Sequence, residues 1–188
     1  MTYKQWQQAF VAGDKSGLRE ICIGDKINPM NITNEWTKNT GIEGSVIERQ
    51  EYTVNGTIYR VDGKHVVLRP TDQEMTVANV LSAKYGKTVE VVPQVMYPQG
   101  MQTPDYLIGG ERFDLKSLMS AGKNVVYNMV SKKKTQSSNF ILDITNCPLQ
   151  VNEIERQIAG LYASTHTKFV EKIVVFKGNA IIRVYKRQ

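Results

Sequence analysis

A chain of 188 residues, 41% hydrophobic and 22% charged, has the length for one good core and a small second module, and this composition excludes intrinsic disorder. The net charge of +6 favours an acidic partner, of which nucleic acid is the commonest for a basic chain, although charge of this size also serves plain solubility. Apolar runs such as Ile173-Val174-Val175-Phe176 fall far short of the roughly 20 residues of a membrane helix, and the polar start Met1–Trp6 is unlike a signal peptide. No membrane partner and a cytoplasmic location are therefore expected. Cys22 and Cys147 have no CxxC partner, which argues for two thiols rather than a disulfide framework or a cysteine metal site.

Taken in order, residues 3–22 show two short helical patterns, with Trp6, Phe10 and Val11 on one face and then Leu18, Ile21 and Cys22 on another, separated at Gly13-Asp14. Residues 28–44 are rich in turn formers and are expected to be a long irregular loop. Strands follow at Val46–Val54, Thr57–Val61 and His65–Leu68, joined at Asn55-Gly56 and Asp62-Gly63, which predicts a β-meander closing a first module over residues 1–70. A second unit spans 71–188. Thr71-Asp72-Gln73-Glu74 is a capping box opening a helix with Val77, Ala78, Leu81 and Tyr85 on one face, and Gly86 ends it.

Lys87–Val92 reads as a strand, and Pro93–Gly100 as a loop. Two short strands then flank Gly109-Gly110 within Thr103–Lys116. Asn124–Lys133 is expected to be a helix with Val125, Val126, Met129 and Val130 inward and Lys132-Lys133-Lys134 at its C-terminus, where cations suit the helix dipole. Phe140–Ile144 reads as a buried strand, Asn152–Tyr162 as a helix, and Ile173–Phe176 with Ala180–Tyr185 as a closing hairpin. The fold class this implies is α+β: a mixed sheet flanked by helices, with a crossover between Phe113 and Ile144 that is right-handed if its strands are parallel.

The chemistry concentrates in the Thr103–Lys116 hairpin. A two-residue period points Asp114 and Lys116 the same way, and closing the hairpin brings Asp105 near them. Their plainest reading is an exposed ion pair worth roughly 0.2–1 kcal/mol. The sharper one is a phosphodiester-cleaving site, which needs a nucleophile and positive charge for the developing anionic oxygens. Two versions fit. In one, Asp105 and Asp114 hold Mg²⁺, Lys116 positions or activates water, and Glu74 or Glu90 completes the ligand set; Pro-Asp followed after eight residues by Asp-x-Lys resembles the restriction-endonuclease-like nucleases. In the other, RNA supplies its 2′-hydroxyl, and His166, within Ser164-Thr165-His166-Thr167-Lys168, joins Lys116 in acid–base work with Thr167 beside it. His166 reads equally well as a helix-terminal residue, and His65 has no role. Lys123, Lys134 and Lys168 are candidate phosphate contacts; Tyr106, Tyr127 and Tyr162 are either stacking platforms or core.

Pro104-Asp105-Tyr106-Leu107-Ile108-x-Gly110-x-x-Phe113-Asp114, the later Lys134-x-Gln136, and Asn139-Phe140-Ile141-Leu142-Asp143-Ile144 resemble the C-terminal tRNase domains of contact-dependent growth-inhibition toxins. Similar domains are attached to phage head-morphogenesis and mobile-element proteins. The resemblance covers about residues 71–188. It implies a small toxin ribonuclease acting on tRNA and controlled by a cognate immunity protein, with Asp105 and Asp114 matching the family's two acids and Gln136 its glutamine. It leaves both the metal-independent plan and the Mg²⁺ plan open. Lys116 departs from that pattern, and His166 has no counterpart in it. The alternatives are a non-catalytic module of a phage or mobile element that binds nucleic acid or protein, and a structural assembly protein.

Overall fold

The structure is a computed structural model that describes residues 29–188; the helices expected over residues 3–22, and Cys22 with them, lie outside the described residues. The chain forms β1 (Met30–Asn31), α1 (Thr33–Thr37), β2 (Ser45–Glu48), β3 (Glu51–Val54), β4 (Thr57–Arg60), β5 (Val66–Val67) and α2 (Asp72–Tyr85). It continues with β6 (Thr88–Val91), β7 (Gln94–Val95), β8 (Tyr106–Ile108), β9 (Glu111–Ser117), α3 (Val125–Val130) and β10 (Asn139–Asp143). The remainder is α4 (Val151–Ala163), a 3₁₀ turn (Thr165–Thr167), β11 (Lys172–Lys177) and β12 (Ala180–Lys186).

The architecture is α+β. An eight-stranded mixed sheet runs in the order β1-β12-β11-β10-β9-β8-β6-β2, and β3–β4 and β5–β7 form two small antiparallel pairs. Helix α2 covers one face of the sheet through Val77, Ala78 and Leu81, packed with Tyr106, Phe113 and Ile141. Helices α3 and α4 cover the other through Val126, Val130, Ile154 and Ile158, packed with Phe140, Leu142 and Ile173. The centre of the sheet is parallel, β10 pairing with β9 on one side and β11 on the other. Covered on both faces, β10 is buried at every position, as a continuous apolar run predicts for a central parallel strand.

Local chemistry explains the best-defined elements. Thr71 Oγ1 accepts from the Glu74 amide at 3.2 Å while Glu74 Oε2 accepts from the Thr71 amide at 2.6 Å, so two otherwise orphaned donors at the start of α2 are satisfied. The helix ends where Gly86 takes φ 62°, a left-handed conformation costly for other residues. Gly109 and Gly110 take φ 60° and 80°, the positive values that a tight two-residue hairpin turn demands, and they fix the β8–β9 register.

Several expectations are corrected. The loop expected over 28–44 contains β1 and α1; the Ile32 amide donates to the Val184 carbonyl at 2.9 Å, tying this segment to β12. The strand expected over Val46–Val54 divides at Arg49-Gln50. Its first half, β2, joins the main sheet parallel to β6, so no N-terminal meander forms and strands from both sides of residue 70 share one sheet. Within the Pro93–Gly100 loop, β7 pairs with β5. Helix α3 stops at Val130, so Lys132–Lys134 lie beyond its last turn and the dipole does not account for them.

Candidate active site

The β8–β9 ladder pairs Tyr106 with Phe113, and the Asp105 amide extends it by donating to the Phe113 carbonyl at 3.1 Å. That register sets Asp105 opposite Asp114. Period two along β9 then lines up Arg112, Asp114 and Lys116 on the sheet face covered by α3 and α4. Asp114 is 0% exposed, and its two oxygens have different partners: Gln136 Nε2 donates to Oδ1 at 2.6 Å, and the Lys116 ammonium sits on Oδ2. Gln136 arrives from the segment between α3 and β10. An ion pair this deep is no exposed surface contact; removing the ammonium alone would strand a buried charge, which typically costs 3–5 kcal/mol.

Asp105 is held differently. Its Oδ2 accepts from the Leu115 amide at 2.6 Å. Burial, with the Asp114 charge second, pushes its carboxyl from the ordinary 3.8 up to about 7, against the opposing pull of the Leu115 amide and Lys116. The two carboxylates face one nearby ammonium, leaving the cluster short of one positive charge. A proton on Asp105 supplies it, and so would a divalent cation. Three of the four carboxylate oxygens are already engaged, by Leu115, Gln136 and Lys116, so Mg²⁺ would take both carboxylates only by displacing Lys116 from Asp114.

Of the two expected third acids, Glu74 lines a small cleft together with Asp105, but one oxygen of each is engaged elsewhere. Glu74 Oε2 is committed to the capping box, and Glu90 Oε2 pairs with Arg49 Nη1 at 2.7 Å. Among the described residues no group of three or more His, Cys, Asp or Glu side chains has metal-holding geometry.

The histidine loop is a separate place. Thr165–Thr167 forms a 3₁₀ turn after α4, and the Thr167 hydroxyl is buried and donates to the Leu161 carbonyl at 2.5 Å. His166 and Lys168 are exposed, and no hydrogen bond or ion pair links them to Asp105 or Asp114. Lys134 is exposed beyond α3, and Lys123 lies at a cleft between α3 and α4. Tyr106 and Tyr162 are core residues, 0% and 1% exposed, so neither offers a stacking face. His65 bonds Asp62 through Nδ1 at 2.8 Å.

Sequence reasoning passed over Arg112, because an arginine inside a strand reads as a solvated position. Its Nη2 reaches the Gln102 and Thr135 carbonyls only at 3.5 and 3.4 Å, and its Nε is buried with no hydrogen-bond partner among the described residues. A loosely held guanidinium on the Asp114 face has donors to spare for an anion. On the opposite face Gln73 Nε2 donates to Asp143 Oδ2 at 2.5 Å and Ser117 Oγ to Gln73 Oε1 at 2.9 Å, a network that joins the start of α2 to the ends of β9 and β10.

Residues 102–181 match the family model of the contact-dependent growth inhibition CdiA C-terminal domain. That span contains the whole Asp105–Gln136 cluster. No curated protein matches the sequence. Among solved structures, a CdiA-CT/CdiI toxin and immunity complex from Burkholderia pseudomallei is similar at 23% identity and a TM-score of 0.48, over 66% of this chain and 97% of the other.

Proposed function

We propose that the chain is a toxin of contact-dependent growth inhibition whose activity is cleavage of RNA phosphodiester bonds, with tRNA as substrate and a cognate immunity protein as its inhibitor. The match of residues 102–181 supports the toxin reading. The nuclease reading is carried by one observation: two opposed carboxylates, one with its pKa pushed up to about 7, on one sheet face with a half-buried lysine and a loosely bonded arginine.

In this reading Asp105 takes the proton of the attacking oxygen, because a carboxyl near 7 is both ionised and basic enough to accept it around neutral pH. Lys116, held by Asp114, faces the non-bridging phosphate oxygens together with Arg112 and offsets their charge as the phosphorus–oxygen bond breaks. Gln136 fixes the Asp114 carboxylate and thereby the Lys116 position. In the alternative version Asp105 and Asp114 would hold Mg²⁺ in place of the Lys116 contact, and the ion would then supply the positive charge at the phosphate while Asp105 would no longer accept the proton. His166 and Lys168 take no part. Action on tRNA places the work in the cytoplasm.

The test incubates the protein with total tRNA, with Mg²⁺ and with EDTA, and resolves the products on a sequencing gel. One discrete cut is expected, reduced at least tenfold by Asp114→Asn, with His166→Ala at the wild-type rate; cleavage that persists in EDTA assigns the proton to Asp105, and cleavage lost in EDTA assigns both carboxylates to Mg²⁺. Salt-dependent tRNA binding without cleavage under any divalent ion would instead identify a binding module.

A further inference from the structure

The cleft between α3 and α4 has a volume of about 340 Å³ and no part in the chemistry above. Lys123 and Tyr127 form one wall, and Arg156, Gly160 and Leu161 the other. Gly160 is the informative residue. It lies inside the 13-residue helix α4, where glycine is less favourable than alanine because its backbone loses more freedom on ordering. Packing does not require it: a Cβ built at Gly160 meets no heavy atom within 4 Å. The fold would therefore accept alanine, and the backbone at Gly160 is open to solvent where it lines the cleft.

The walls set what the cleft can hold. Tyr127 is half-buried and lines the cleft together with Gly160. Lys123 is exposed and makes no ion pair among the described residues. Arg156 binds Glu153 through Nε and Nη2 at 2.8 and 2.6 Å, which leaves Nη1 uncommitted. The cleft is also braced. Gln157, 7% exposed, accepts from the Val126 amide at 3.2 Å and donates to the Gly122 carbonyl at 3.0 Å, bolting α4 to the start of α3. An aromatic side chain, an open backbone surface, the exposed Lys123 and the spare Nη1 of the Glu153-bound Arg156 match a flat base attached to a phosphate. The volume is at the lower end of small-ligand sites, suited to a single nucleotide.

We infer that this cleft is a subsite for one unpaired nucleotide of the RNA, with the base lodged between Tyr127 and the Gly160 backbone and the flanking phosphates on Lys123 and Arg156. The inference rests on the proposal that the chain acts on RNA. Helix α3 connects the two places: the cleft opens at its start, and the segment after its end delivers Gln136 to Asp114.

The test is fluorescence anisotropy of a labelled 2′-O-methyl pentauridylate with the full chain, in buffer without divalent ions. Tyr127→Ala and Gly160→Leu should each weaken binding at least tenfold, while Tyr127→Phe keeps it. Gly160→Ala should weaken it several-fold yet raise the melting temperature by about 2–4 °C, since alanine is the better helix residue. That combination separates a ligand surface from a structural position. Lys123→Ala should flatten the dependence of log affinity on log salt by about 1. Wild-type affinity in both Tyr127→Ala and Gly160→Leu, or no binding by the unaltered chain, overturns the subsite. Cleft-dependent binding without tRNA cleavage sinks the nuclease reading alone; cleavage with cleft-independent binding sinks the subsite alone.

Discussion

Asp105 is under two opposed demands. Its folded carboxyl titrates near 7 against an ordinary 3.8, so between about pH 4 and 7 the native state holds a proton that the unfolded chain has released. The stability this proton confers is fully present below pH 4 and lost as pH rises through 7, whereas a proton acceptor works only once it has lost that proton. The rate of tRNA cleavage should therefore climb with pH up to about 7 and then level, while the unfolding free energy falls over the same interval. Asp105→Asn keeps an oxygen for the Leu115 amide and removes the buried charge. It should abolish cleavage yet gain stability on the order of 2 kcal/mol at pH 8, read by thermal unfolding, with little gain at pH 4. The positions of Asp105, Asp114 and Lys116 were legible because a Gly-Gly turn fixes the register and period two fixes the face. Arg112 obeys the same period, but its exposure depends on Gln102 and Thr135, contributions from distant segments that no local pattern announces.

Helix α2 shows what local sequence specifies well. Its start and stop are written in five residues, Thr71 to Glu74 and Gly86, and both caps form. The helix also steadies the site, since the Tyr106 hydroxyl donates to the Glu74 carbonyl at 2.8 Å in the residue next to Asp105. Thr71→Ala should cost about 1 kcal/mol, seen as a lower urea midpoint with an unchanged slope. Strand β2 shows the reverse case. Its sequence runs without a break from Val46 to Val54, but Arg49 turns aside to reach Glu90 and the Glu51 carbonyl, and pairing with β6 captures the residues before it. Parallel pairing joins segments remote in sequence, and no turn signal marks it. The hairpin signals at Asn55-Gly56 and Gly109-Gly110 are local, and both hairpins form.

At the scale of the whole molecule, the first and last described strands are neighbours: Met30 pairs with Lys186, and Thr33 Oγ1 accepts from the Val184 amide across 151 residues of sequence. β1 is two exposed residues at an edge, and behind it Trp36 rests on Phe113 with ring centroids 6.3 Å apart. Such an edge opens at far lower free energy than the covered centre. In hydrogen exchange the Ile32 amide should exchange at least a hundredfold faster than that of Ile141, and equal protection would show that the edge opens only with the whole fold. This pairing also orders events in time. In chain order β8, β9 and β10 are complete by residue 143, so the Asp105–Asp114 pair can assemble early, whereas the backbone bonds of β1 and the Thr33 hydroxyl wait for β12. The edge that closes the sheet is therefore the last to form and the first to open, while the two acids stay paired in the covered centre.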